Sequence, residues 1–84
     1  MDRQKIPFAS PVSIRPGNEH TVRHVKSVNG ASEVLIDWPH ARRGPVYQET
    51  VAVIEAALVG DESAETARAA FKAFADHADV LVRD

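Results

Sequence analysis

The chain has 84 residues, no cysteine, 44% hydrophobic residues and a formal net charge of −2, the profile of one small globular domain. Lack of cysteine excludes disulfides, thiolate zinc sites and thiol nucleophiles, and it suits the reducing cytosol. The net negative charge argues against a general nucleic-acid binder, and no apolar run approaches the ~20 residues that a membrane-spanning helix requires.

Residues 1–7 read as a tail, and their polar character lacks the apolar core of a secretory signal. A single compact domain is expected over 8–82. It opens with a strand whose alternation puts Phe8, Val12 and Ile14 on the buried face. Pro11 has no N–H for a ladder, so the strand belongs at an edge there. Arg15-Pro16-Gly17-Asn18 carries the chemistry of a type II turn. A second strand is expected from Glu19 to Lys26. Its parity is open: either Val22 is exposed or a bulge resets the register.

Ser27 suits the N-cap of a first helix over 28–37. Ala31, Val34, Leu35 and Trp38 fall at i, i+3, i+4 and i+7, which defines one apolar face. Pro39 ends that helix, because the residue before a proline avoids the helical region. Gly44-Pro45 opens a second helix, with proline in the first-turn position that needs no N–H. Its stripe is Tyr47, Thr50, Val51, Ile54, Ala57 and Leu58, and Gly60 sits where a left-handed C-terminal cap belongs. Asp61 or Ser63 caps a third helix over 64–77, with Ala67, Ala70, Phe71, Phe74, Ala75 and Ala78 inward. Val80-Leu81-Val82 is β-prone and offers a third short strand. The fold expected is α+β: an antiparallel β-hairpin packed against three α-helices.

Several of these pieces occur together in one known family. Pro11-Val12-x-Ile14-Arg15-x-Gly17 leads to Ser27-Val28 and Ala31-x-x-x-Leu35. Trp38-Pro39-x-x-x-x-Gly44-Pro45-x-Tyr47, Ala57-x-x-Gly60, Ala67-Arg68-x-Ala70-Phe71 and Val80-Leu81-Val82 follow. This order resembles the small alpha-proteobacterial family catalogued as domain of unknown function 982, over about residues 7–82. The chain departs from the alanine-rich ending frequent in such families at Asp76-His77-Ala78-Asp79. The resemblance implies an α+β fold and no reaction, cofactor or functional residue.

The segment from Asp37 to Tyr47 holds the only Trp, the only Tyr and the only adjacent arginines. Trp38, Tyr47, Phe71 and Phe74 are the expected structural anchors, since large aromatics dominate a small core. Arg42 and Arg43 precede a helix start at Gly44, where free N–H groups and the helix dipole favour anions. With His40 they form a candidate anion site. The opposing reading is a solvated loop in which an arginine bonds Asp37 or stacks on Trp38.

His20 and His24 would lie about 13 Å apart on a strand, too far to share a metal. No metal site, cofactor or catalytic residue is expected. Serines 10, 13, 27, 32 and 63 read as strand, cap or helix positions, and no nucleophile elbow, metalloprotease helix or phosphate loop is present.

Charge is uneven along the chain. Residues 1–43 carry seven Lys/Arg against four Asp/Glu, and residues 44–84 carry three against eight. The function expected is a non-enzymatic cytoplasmic interaction or accessory module with a protein partner. A homodimer through an edge strand at Val22 is the specific form of that expectation. The alternative is a regulator binding a small anion or nucleic acid through Arg42 and Arg43.

Overall fold

The computed structural model describes residues 5–16 and 21–82. Two antiparallel strands come first, β1 (Pro7–Ile14) and β2 (Arg23–Ser27). Helix α1 (Val28–Ile36) follows, then a 3₁₀ turn (His40–Arg42), α2 (Pro45–Leu58) and α3 (Ala64–His77). The expected hairpin and three helices are all present. The expected type II turn includes Gly17 and Asn18, which lie outside the described residues.

Alternation in β1 buries Phe8, Val12 and Ile14, as the period-2 pattern requires. The register is irregular between Pro7, opposite Ser27, and Val12, opposite Val25. Four β1 residues intervene there against one on β2. Pro11 lies in this bulge, where the ladder asks no N–H of it. Arg68 of α3 braces the bulge by donating from Nε to the Ser10 carbonyl at 2.7 Å.

The structure revises the second strand. β2 starts at Arg23 rather than Glu19 and ends at Ser27 rather than Lys26. Val22 therefore precedes the strand and is half-buried, so its parity within β2 is no longer a question. The irregularity that the sequence assigned to the second strand belongs to β1. Val25 is the buried residue of β2, and Arg23, His24 and Lys26 are exposed.

No loop separates β2 from α1. Ser27 ends the strand in an extended conformation and its side chain accepts from the Gly30 N–H at 3.0 Å. One residue thus closes the strand and caps the helix. Of the segment expected to be a tail, residues 1–4 lie outside the described residues, and Ile6 is tied to α1 before β1 begins. Ile6 donates to Asn29 Oδ1 at 2.9 Å, and its carbonyl accepts from the Val28 N–H at 2.8 Å.

The C-terminal segment adds a single bridge, Leu81 opposite Ile14, rather than a full third strand. The Arg15 N–H donates to the Val80 carbonyl at 2.8 Å and the Val82 N–H to the Ser13 carbonyl at 2.9 Å. This segment lies on the edge of β1 away from β2. Hence β1 is an inner strand at Ile14, although Pro11 marks it as an edge strand in the sequence.

Helix α3 packs on β1 and α1 on β2, while α2 packs chiefly on α1 and α3. The core draws Ile14 from β1, Val25 from β2, Val28, Ala31, Val34 and Leu35 from α1, and Ile54 and Ala57 from α2. Ala67, Phe71, Phe74 and Ala75 come from α3, and Val80 closes it. Alanines at Ala31, Ala57 and Ala67 are almost wholly buried. Small residues there let the helix backbones approach, and van der Waals contact replaces the aromatic bulk the chain lacks.

Candidate functional site

The α1–α2 joint, Asp37 to Gly44, is where buried aromatics and free polar groups meet. Trp38 is 7% exposed and packs edge-on against Phe74, with ring centroids 4.9 Å apart and planes at 65°. Tyr47 meets the same ring at 6.0 Å and Phe71 at 6.4 Å. Phe74 is therefore the hub of the aromatic cluster, and edge-to-face pairs such as these add roughly 0.5–1.5 kcal/mol beyond burial. All four expected anchors belong to this cluster. Tyr47 is only half-buried, because its hydroxyl must reach a partner.

That partner is the Leu35 carbonyl, to which the Tyr47 hydroxyl donates at 2.6 Å. Arg43 serves the same helix end. Its Nε donates to the Trp38 carbonyl at 3.1 Å and its Nη2 to the Ile36 carbonyl at 2.9 Å. The guanidinium carbon sits 5.0 Å from the centre of the Tyr47 ring. The last carbonyls of a helix have no intrahelical donor and carry its negative pole. Arg43 answers both needs with one planar fork, a task the point charge of lysine does less well.

A cleft of about 200 Å³ opens beside this cluster. Trp38, Tyr47, Phe74 and Ala78 give its apolar wall, and Arg42, His77 and the backbone at Gly44, Pro45 and Val46 complete it. No carboxylate lines it. The start of α2 forms one side. Gly44 is the N-cap residue and offers no side chain to the helix, and Pro45 brings no N–H. The N–H groups of Val46 and Tyr47 are left without an intrahelical acceptor by the geometry of any helix start.

The structure thus divides the four residues of the expected anion site. Arg42 and Gly44 line the cleft. Arg43 lies behind it, bonded to the end of α1. His40 is exposed on the 3₁₀ turn and is not among the lining residues. Neither Asp37 nor Trp38's ring takes an arginine; Arg43 bonds the Trp38 carbonyl and lies over Tyr47. His77 was missed as a lining residue. Its signal was its place three residues after Phe74 and beside the inward Ala78 on α3. His20 lies outside the described residues, and His24 exchanges a hydrogen bond with Ser13 Oγ at 2.8 Å. Among the described residues no three His, Asp or Glu side chains are grouped to hold a metal ion. No described helix is long and apolar enough to cross a membrane.

The family described as "Protein of unknown function (DUF982)" matches residues 10–82. The chain belongs to the DUF982 family. The match takes in the hairpin from Ser10 onward, all three helices and the bridge at Leu81, so the whole of the joint and its cleft lies within the family region. No curated protein and no solved structure matches this DUF982 chain.

Proposed function

We propose that this DUF982 protein is a non-enzymatic interaction module whose docking edge is the outer edge of β2. The observation that carries this reading is the unequal treatment of the two sheet edges. The far edge of β1 is bridged by Leu81 and braced by Arg68. Among the described residues, β2 pairs only with β1. An open edge is a template for another strand.

Charge indicates the kind of strand. Arg23, His24 and Lys26 are exposed on β2, Lys5 and Arg15 flank the hairpin, and residues 5–28 contain one acidic residue, Glu19, which lies outside the described residues. Arg23 has one long ion pair, to Glu33 at 3.8 Å, with both side chains largely solvated; such pairs contribute little. An extended segment with acidic side chains complements this edge. A second copy is the rival occupant. Antiparallel self-pairing centred on Val25 would set His24 opposite Lys26, a like-charge pairing whenever the imidazole is protonated. A bacterial, cytoplasmic setting belongs to the same proposal, resting on the family resemblance and the lack of cysteine.

The test is an amide-resonance titration with a short peptide of alternating valine and glutamate, run beside its valine–lysine counterpart. Saturable shifts along Arg23–Ser27 with the acidic peptide only are the expected result. Equal response to both peptides, or none to either, would overturn the acidic-strand reading. Sedimentation equilibrium at tens of micromolar completes the test. A mass of two chains that Val22→Lys reduces to one, with the helical circular dichroism unchanged, would assign the edge to a second copy instead.

A further inference from the structure

We propose that the cleft at the α1–α2 joint is a binding site for a small carboxylate with an apolar body. The inference is independent of the β2 edge, which lies on other elements.

Four observations converge. The first is a donor that no described protein group engages. Trp38 is 7% exposed, and its indole N–H has no hydrogen-bond acceptor among the described residues. No fully buried side-chain nitrogen or oxygen lacks a partner, so this N–H is not sealed inside the protein. It reaches solvent, and the opening that Trp38 lines is the cleft. A ligand in the cleft would offer this indole an acceptor in place of solvent.

The second is the start of α2, whose Val46 and Tyr47 N–H groups have neither an intrahelical acceptor nor a capping side chain. They open a helix of 14 residues, and the dipole favours negative charge at this end. The third is Arg42, an exposed guanidinium on the rim. Its planar fork matches a carboxylate with two parallel hydrogen bonds. The absence of any acidic lining residue leaves nothing to repel the ligand.

The fourth is the wall. Phe74, Tyr47 and Ala78 present apolar surface beside those donors, which suits a hydrophobic body attached to the anion. About 200 Å³ is room for roughly half a dozen waters at ~30 Å³ each. That accommodates one aromatic ring or a branched aliphatic chain. Inorganic anions would leave the wall uncovered. Two sources share this chemistry: a free organic acid and the C-terminal carboxylate of a polypeptide ending in an apolar residue.

The experiment uses sodium benzoate as probe on the full chain, with benzamide as its neutral counterpart at matched ionic strength. Benzoate is expected to shift the Trp38 indole N–H and the Val46 and Tyr47 amides together and saturably. Arg42→Ala should weaken that response at least tenfold while leaving the thermal melt unchanged, because the Arg42 side chain makes no hydrogen bond among the described residues and its backbone bond to the Pro39 carbonyl is kept. Arg42→Lys should restore part of it. Shifts that do not saturate, an unmoved indole N–H, or an equal response to benzamide would each overturn the site. A peptide ending in a free phenylalanine carboxylate, compared with its amidated form, identifies the source. A tighter response than benzoate assigns the site to polypeptide termini, and a weaker one assigns it to free acids.

Discussion

The chain turns between helices twice, and the two joints solve the same problem by different means. Between α2 and α3 the solution is local. The Gly60 N–H bonds the Ala57 carbonyl at 3.2 Å and the Asp61 N–H bonds the Ala56 carbonyl at 2.8 Å. This is a Schellman cap, with Gly60 in the left-handed region at φ 88°. Ser63 Oγ then accepts from the Thr66 N–H at 3.0 Å and starts α3. Every partner lies within five residues, and the joint is exposed, with Val59 73% accessible.

Between α1 and α2 the solution is tertiary. The end of α1 is satisfied by Arg43 and Tyr47, from beyond the turn, and the turn is held down by Trp38 on Phe74 of α3. At the local joint a side chain caps the next helix, since Ser63 Oγ takes the Thr66 N–H. A joint closed by distant side chains leaves the next helix start uncapped and a cleft beside it. That difference is why the candidate binding site lies at the first joint and not the second.

Removing the tertiary anchor should give the largest effect. Trp38→Ala is expected to cost about 3–5 kcal/mol, the range for a large core aromatic. In a domain this small that leaves much of the chain unfolded at room temperature. Far-UV circular dichroism melts check it; a midpoint within a few degrees of the parent would mean the joint does not depend on Trp38.

Arg43→Ala should follow, at about 2 kcal/mol, since it removes two charge-assisted hydrogen bonds, the part-buried one to the Trp38 carbonyl and the exposed one to the Ile36 carbonyl. Urea denaturation measures it, and Arg43→Lys should recover less than half. Full recovery by lysine would show that charge, rather than the fork, closes the helix. A cycle with Tyr47→Phe sharpens the point: the two side chains touch, and a coupling of about 0.5 kcal/mol or more is expected.

At the local joint, Gly60→Ala is expected to cost about 1–2 kcal/mol from the left-handed backbone. A Cβ there meets no atom within 4 Å, so packing contributes nothing and the loss isolates the backbone term. A loss below a few tenths would mean that the turn relaxes to another cap.

The smallest effect has the opposite sign. The end of α3 repeats the Schellman pattern, with Asp79 N–H to the Asp76 carbonyl at 3.1 Å and Val80 N–H to the Ala75 carbonyl at 3.0 Å. Asp79 holds φ 63° there without being glycine. Asp79→Gly is expected to stabilise by about 0.5 kcal/mol, relief of the left-handed cost less the added chain entropy. An unchanged or lowered urea midpoint would show that the aspartate side chain offsets its own backbone cost.

The same division separates what could be read in the sequence from what could not. Ser27, Pro39, Pro45, Gly60 and Ser63 act through their own backbone torsions or through hydrogen bonds a few residues long. Their residue types therefore place the ends of all three helices within a residue or two. The apolar stripes depend on the helical period, and they name Trp38, Phe71 and Phe74 as core. Pro11 marks a position in β1 that gives no N–H to a ladder, but a missing N–H fits a bulge as well as an edge, and the bulge depends on the partner strand. The start of β2 misleads because Val22 has β propensity, while pairing with β1 is what ends at Arg23.

By itself, then, the sequence determined the α+β class, the helix boundaries and the aromatic anchors, since these follow from torsional preference and periodicity over short spans. Only the tertiary structure decided that Arg43 faces the end of α1 while Arg42 faces the cleft. Adjacent residues of identical chemistry differ solely in which distant carbonyls lie within reach. Only the tertiary structure brought His77 to the cleft that Trp38 lines and set Leu81 against β1, leaving β2 paired only with β1 among the described residues. Those placements depend on how helices and strands far apart in the chain come to lie, and no local preference encodes them.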